Sequence, residues 1–503
     1  YQYSNQNNFL EIFKNRLLVI SVSILVFLAI LIFIFPSLSY TSIENVSIWI
    51  RDWFGNFYLY LGLFCVLFLL GIAISPLGKL RLGNTNDRPE YSRWAWISML
   101  YSAGMGAGIL LRAVQEPVYM YLNPPIQTDA SKQTIALEYT FYQWGFTAWA
   151  FYGLFALVIG HYLFTKNKQA LISSTVAPNF KNSGVLNGID ILVMLATVFG
   201  LVGAVGLGTT QINGGLQHLL KINLDVTSAI ILTIIICGFA FLSAWKGINK
   251  GIKNISKVNI FITLLLLVFV LSQSDILLIL KQFINALFQY LKDFIPLSLA
   301  LGKYNPGKQF LTDWTYYYWA FWLAWAPFTG VFIARISKGR TLREMLLSVM
   351  IIPSLGSFLW FTAFGENAFL LIESWNNYNN EFGNVFTSIF IFFKQYPLQF
   401  IINSTIVILL IGFLLTSVDS AIFVLSMFSD KGNPKPKKSH RIVWSFVIAI
   451  FSIAMLILGN AKKEIDVLIA LQKLLIITSL PFALFIPIMS FSFLKELIQK
   501  KPS

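Results

Sequence analysis

Arg112, Gln115 and Glu116 stand together in a stretch that is otherwise apolar, and Pro117 follows them. On a helix Arg112 and Glu116 share one face and can neutralise each other; alternatively the guanidinium reads the carboxylate of a bound molecule. A second polar group, Thr416–Ser417–Val418–Asp419–Ser420, interrupts another apolar run. Adjacent hydroxyls are hard oxygen donors suited to a dehydrated sodium ion when an unwound helix adds carbonyls, although such hydroxyls often bond back to the preceding turn. Aromatic rings gather in two further places: Trp144, Trp149 and Tyr152, and Tyr316, Tyr317, Tyr318, Trp319, Phe321, Trp322 and Trp325. Rings at the ends of spans form the interfacial belt, but Trp149, Tyr152, Trp322 and Trp325 continue well into theirs. Ring faces attract cations that lack hydrogen-bond donors, quaternary ammonium above all. A box of three or four rings therefore selects a methylated onium group.

Other chemistry is poorly served. His161, His218 and His440 are scattered, and neither G-x-S-x-G nor H-E-x-x-H occurs. Glu138, Asp190 and Glu366 lie near span ends, where structural or gating contacts are expected. Cys65 and Cys237 both sit in apolar runs, which argues against a disulfide framework. The formal charge of +15 suggests nucleic acid only until its distribution is seen. The basic residues occupy short loops, and no soluble domain remains to carry a basic face.

The elements that position these residues are membrane spans. Of 503 residues, 56% are hydrophobic and 12% charged, too few polar side chains to cover a globule of this size. Twelve spans are predicted: 17–35, 54–76, 94–121, 138–164, 189–218, 226–245, 256–273, 314–335, 345–372, 397–427, 441–458 and 468–494. The longest must tilt, project beyond the hydrocarbon or break within it. The first lacks a cleavage pattern and is read as a retained span. Segment 276–299 carries Lys281, Lys292 and Asp293 and is read as an interfacial helix on the outer surface. Lysine and arginine concentrate in alternate loops, from Lys79 to Arg93, Lys166 to Lys181, Lys246 to Lys257, Arg335 to Arg343 and Lys431 to Arg441. Those loops are assigned to the cytoplasm, giving a multi-pass inner-membrane protein with both termini inside.

Gly104, Gly106 and Gly108 in the third span, and Trp325–Ala326–Pro327 in the eighth, predict two interrupted helices. Interruptions five spans apart suggest inverted halves, spans 3–7 and 8–12, with a site between them near midplane. The plainer reading is that the glycines let helices pack closely. A channel would need a continuous polar lining; box, break and basic loops fit a carrier.

At these residues the chain resembles the betaine/choline/carnitine transporter family. The strongest stretch runs Trp314–Thr315–Tyr316–Tyr317–Tyr318–Trp319–Ala320–Phe321–Trp322–Leu323–Ala324–Trp325–Ala326–Pro327–Phe328 and on through Ile333 to Thr341 with Arg343–Glu344. Gly104 to Gly108 with Glu116–Pro117, the Trp144, Trp149 and Tyr152 set, Gly206–Leu207–Gly208, and Thr416 to Ala421 match in order. The resemblance implies an all-α fold of twelve spans with two inverted five-helix repeats, similar to sodium symporters, and commonly a homotrimer in lipid. It implies an aromatic box of Trp144, Trp149, Tyr152 and Trp322, with Trp325 lining the cytoplasmic route. It further implies sodium held by the Thr416 and Ser417 side chains and backbone oxygens of Ser102, Met105 and Phe413. Family members without sodium place a basic side chain from the seventh span there; Val258–Asn259–Ile260–Phe261 offers none, although Lys257 is near. A second sodium site is questionable, because Thr197 is paired with Leu201 rather than another threonine.

The departures are Arg112 where an aromatic is usual, Phe321 for a common Trp, and Thr147–Ala148 for a usual His-Pro. The organisation expected is an N-terminal region with two extra spans (1–93), a first repeat (94–273), an interfacial helix and outer linker (274–313), a second repeat (314–494) and a short cytoplasmic tail (495–503). The expected function is secondary active import, with no enzyme activity, of a quaternary-ammonium or related compatible solute of the glycine betaine, choline or carnitine type. Sodium is the expected coupling ion. The alternative is a sodium-independent or proton-coupled exchanger of another zwitterion, with Arg112 reading its anionic group.

Overall fold

In the computed structural model the described residues are 14–84, 86–104, 106–177, 180, 182–246, 249–463 and 465–499. They form helices and connecting loops, with one isolated β-bridge, Arg81 to Thr341, among them. The long helices are α1 (Arg16–Ile34) and α2 (Pro36–Ile74), then the pieces α3 (Arg93–Gly104), α4 (Ala107–Arg112) and α5 (Gln115–Leu122). Next come α6 (Lys132–Trp144), α7 (Phe146–Gly160), α8 (Ser183–Leu220), α9 (Val226–Lys246), α10 (Asn249–Ser272) and α11 (Ile276–Leu299). The chain ends with α12 (Tyr317–Ile336), α13 (Leu342–Ser374), α14 (Gln399–Ser429), α15 (Lys438–Leu458) and α16 (Val467–Gln499). Among the described residues eleven helices, counting α6 and α7 as one, are long and apolar enough to cross a membrane. The protein is thus an all-α, multi-pass membrane protein.

The third expected span accounts for the difference between twelve and eleven. It is cut into α3, α4 and α5, so no piece is long enough to count. Gly106 is extended, with φ −139° and ψ −175°, immediately before α4, and a turn at Ala113–Val114 separates α4 from α5. The expected interruption of the eighth span is corrected: α12 runs unbroken through Pro327. A proline removes one helical donor, and here the surrounding helices hold the turn in place. A break that the sequence reading did not foresee falls instead at Gly145, between α6 and α7. A Cβ there would lie 2.5 Å from the Phe141 carbonyl and 2.6 Å from the Phe358 ring, and the Phe146 N–H is satisfied by the Tyr290 hydroxyl at 3.0 Å.

Helices α7 and α12 make the most extensive contact in the fold. Glycine makes it possible: a Cβ at Gly330 would sit 2.5 Å from the Phe155 Cβ, and one at Gly160 3.2 Å from the Ala334 Cβ. Gly200 on α8 is similarly tight against Ala324, at 2.9 Å. Helix α11 is amphipathic, burying Ala286, Tyr290, Phe294 and Leu297 while exposing Leu280, Ile284, Phe288, Leu291 and Ile295. It is not among the helices apolar enough to span. The chain after α2 is strapped to the α12–α13 loop. Leu82 N–H donates to the Arg340 carbonyl at 2.9 Å, Gly339 to Leu82 at 2.8 Å, and Leu342 to Leu80 at 2.8 Å. Arg343 adds a bond to the Ala73 carbonyl at 2.6 Å.

Candidate functional site

Breaks in α3–α5 and α6–α7 leave room between the helices, and α8, α12 and α14 close it into a cavity of about 290 Å³. Trp144, Trp149, Tyr152, Trp322 and Trp325 line it, as do Phe413, Thr416 and Ser417. Helix geometry explains the convergence. The Gly145 break turns Trp144, at the end of α6, toward the same space as Trp149 and Tyr152, which lie about one turn apart on α7. The four box rings form a chain of edge-on contacts: Trp144 to Trp322 at 5.1 Å and 70°, Trp322 to Tyr152 at 6.3 Å and 87°, Tyr152 to Trp149 at 5.3 Å and 87°. All four are less than a tenth exposed. Such rings present π faces in a desolvated setting, where attraction for a cation is strongest.

Two tethers hold the rings. Trp322 donates its indole N–H to the Gln143 carbonyl at 3.0 Å, one of the carbonyls freed by the break after Trp144. Trp144 donates to Glu116, with its two oxygens 3.1 and 3.2 Å away, and the Tyr318 hydroxyl donates to the same carboxylate. Tyr318 stacks on Trp322 at 5.6 Å and 22° and also meets Trp144 at 5.6 Å. Glu116 and Tyr318 were not in the expected site set. Their part in it depends on contacts between distant segments.

Arg112 does not line the cavity. It is buried behind the box, donating to Gln115 at 2.7 Å, 4.0 Å from Glu116, with its guanidinium 4.8 Å from the centre of the Trp314 ring. Its charge is met by Glu116, as buried charges require. Trp325 lies beyond the box beside Phe321 and Phe328, its indole nitrogen buried without a partner.

Thr416 donates its hydroxyl to the carbonyls of Gly412 and Phe413, each at 3.0 Å. That leaves oxygen lone pairs directed away from the helix, beside Ser417 on the same cavity wall. The donor set is hard oxygen and fits an alkali cation better than a soft metal. The Ser102 backbone belongs to α3, but its side chain and the whole of Met105 lie outside the described residues. Thr197 bonds back to Val193 at 2.8 Å, and Leu201 is buried. Gln211, also missed by the sequence reading, lines the cavity with both ends of its amide buried and unpartnered. Its one sequence signal is an amide in a glycine-rich apolar span.

Comparison with known proteins follows the same lines. The profile described as "BCCT, betaine/carnitine/choline family transporter" matches residues 16–502. The chain is 36% identical to the glycine betaine transporter OpuD of Bacillus subtilis over 471 residues, covering 92% of this chain and 90% of that one. It is 32% identical to the ectoine/hydroxyectoine transporter of Virgibacillus pantothenticus, with 88% of each chain covered. It is 35% identical to the betaine/ectoine transporter LcoP of Corynebacterium glutamicum, covering 88% of this chain and 71% of that one. The buried box, the broken span and these likenesses together make the chain a member of the betaine/carnitine/choline transporter family, a secondary transporter of compatible solutes rather than an enzyme.

Proposed function

We propose that the protein imports a zwitterionic or quaternary-ammonium compatible solute by alternating access, driven by sodium. The onium group sits among Trp144, Trp149, Tyr152 and Trp322, and the Gln211 amide meets its polar end. Sodium is held by Thr416 and Ser417 with backbone oxygens of Ser102, Met105 and Phe413. The observation that carries this reading is that the four rings and the hydroxyl pair line one cavity. Behind Trp144, Tyr318 meets it edge-on and stacks on Trp314, which in turn lies against Arg112. Beyond Trp325 and Phe328 an adjoining cavity reaches Arg335, on the side that the positive-inside rule assigns to the cytoplasm.

The reading includes twelve spans, with α3–α5 counted as one, arranged as two inverted repeats within the expected boundaries 94–273 and 314–494. Residues 1–93 precede them, α11 lies along the outer surface in 274–313, both termini are cytoplasmic, and three copies form a homotrimer. The exchanger alternative, in which Arg112 reads the anionic group, has less support because Arg112 is already met by Gln115, Glu116 and Trp314. The test is uptake of radiolabelled glycine betaine, choline, carnitine and ectoine into proteoliposomes with and without an inward sodium gradient. Sodium-driven accumulation of one supports the proposal; gradient-independent exchange overturns the coupling, and no flux of any overturns the substrate class.

A further inference from the structure

A second cavity, of about 300 Å³, adjoins the first: Phe328, Phe332 and Ser420 line both. Its remaining wall includes two arginines about a hundred residues apart in sequence, Arg335 near the end of α12 and Arg441 on α15. Their guanidiniums lie 5.7 and 5.2 Å from the centre of the same ring, Phe423 on α14. Neither guanidinium makes a hydrogen bond or ion pair with a described residue, and the Arg441 Nε is buried without a partner. One carboxylate, Asp419, lines this space, as does Ser243. It offsets one positive charge and leaves the other unmatched.

We propose that this inner cavity is a second solute site, which takes the carboxylate of a zwitterionic solute between Arg335 and Arg441. Guanidinium donors are planar and suited to carboxylate oxygens. The rings of Phe328 and Phe332, shared with the central cavity, offer faces to the onium end. The inner site receives a solute leaving the aromatic box, and it distinguishes solutes the box cannot: glycine betaine has the carboxylate that choline lacks. The inference rests on the proposed central site.

Equilibrium binding of radiolabelled glycine betaine and choline to the purified, full-length protein in nanodiscs tests both. Two glycine betaine molecules and one choline per chain are expected. In Arg335→Gln/Arg441→Gln the weaker glycine betaine phase should fall about tenfold or more in affinity, while the tighter phase and choline binding stay as they were. The unchanged tight phase also reports that the variant is folded. Arg335→Lys should restore part of the weak phase. Acetate should compete with that phase alone; competition by chloride at equal concentration would reassign the pocket to a simple anion and overturn the proposal. One glycine betaine per chain, lost in Trp322→Ala, would overturn the inner site while leaving the central one standing. Two phases surviving in the double arginine variant would also overturn it. No binding of either solute would overturn the proposed function and this inference with it.

Discussion

Removing the Trp322 indole is the most direct probe of the box. Trp322 touches Trp144 at 5.1 Å, Tyr318 at 5.6 Å and Tyr152 at 6.3 Å, so it is the ring that joins the α6 side of the box to the α7 side. It is 7% exposed, which puts any cation against it in a desolvated setting. A cation over one such ring gains about 2 kcal/mol, and about 1.4 kcal/mol is tenfold in affinity. Trp322→Ala should therefore weaken onium binding by roughly thirtyfold on these values. Trp322→Phe keeps a ring but loses the bond to the Gln143 carbonyl, and should fall between wild type and Trp322→Ala. The assay is titration of the purified protein with choline and, in parallel, with 3,3-dimethylbutan-1-ol, in which carbon replaces the charged nitrogen at nearly the same shape. Trp322→Ala should cost choline far more than the neutral isostere. Equal losses for the two would show that the ring supplies shape alone, and a loss below about threefold for choline would refute the cation–π reasoning.

The remaining perturbations probe different parts of the molecule. Glu116→Gln leaves the buried Arg112 without its countercharge and loosens the Trp144 and Tyr318 tethers; it should cost about 3 kcal/mol or more of stability, read by thermal unfolding, and weaken onium binding as well. Gly330→Ala forces its Cβ against Phe155 and should destabilise the α7–α12 contact by about 1–3 kcal/mol, with a lower unfolding temperature as the readout. Thr416→Ala with Ser417→Ala should flatten the sodium dependence of uptake while leaving sodium-free onium binding close to wild type; unaltered sodium dependence would remove these hydroxyls from the ion site.

How much of this was legible in the sequence follows from the range of the interactions. Apolar runs and glycine triplets are local, so the spans and the cut in the third were readable. Trp149, Tyr152, Trp322 and Trp325 stood out as rings too deep in their spans for the interfacial belt, whereas Trp144 joined the box only through the family resemblance; the structure lines one cavity with all five. Pro327 misled because a proline lowers the cost of a break without causing one; neighbouring helices decide, and α7 packs against α12 along this stretch. The Gly145 break went unforeseen for the opposite reason. A lone glycine reads as a packing residue, and only the nearness of Phe358 and Tyr290 shows that no side chain fits there. The spacing of Arg112 and Glu116 left both a pair and a substrate contact open for Arg112; the structure puts it against Glu116 and Trp314 and outside the cavity lining, and no periodicity links it to Trp314. The meeting of Arg335 and Arg441 at Phe423 is likewise a product of tertiary packing.

The strap between residues 80–82 and 339–342 has a mechanical consequence. Its three backbone bonds surround a single antiparallel bridge, and slipping by one position would break all of them at once. The two segments cannot shear past each other in small steps. Torque applied to α12 and α13 is transmitted to the end of α2, where Arg343 grips the last helical carbonyls. The end of α2 and the α12–α13 loop are therefore clamped into one unit, and the contact of α12 with α8 lies outside that clamp.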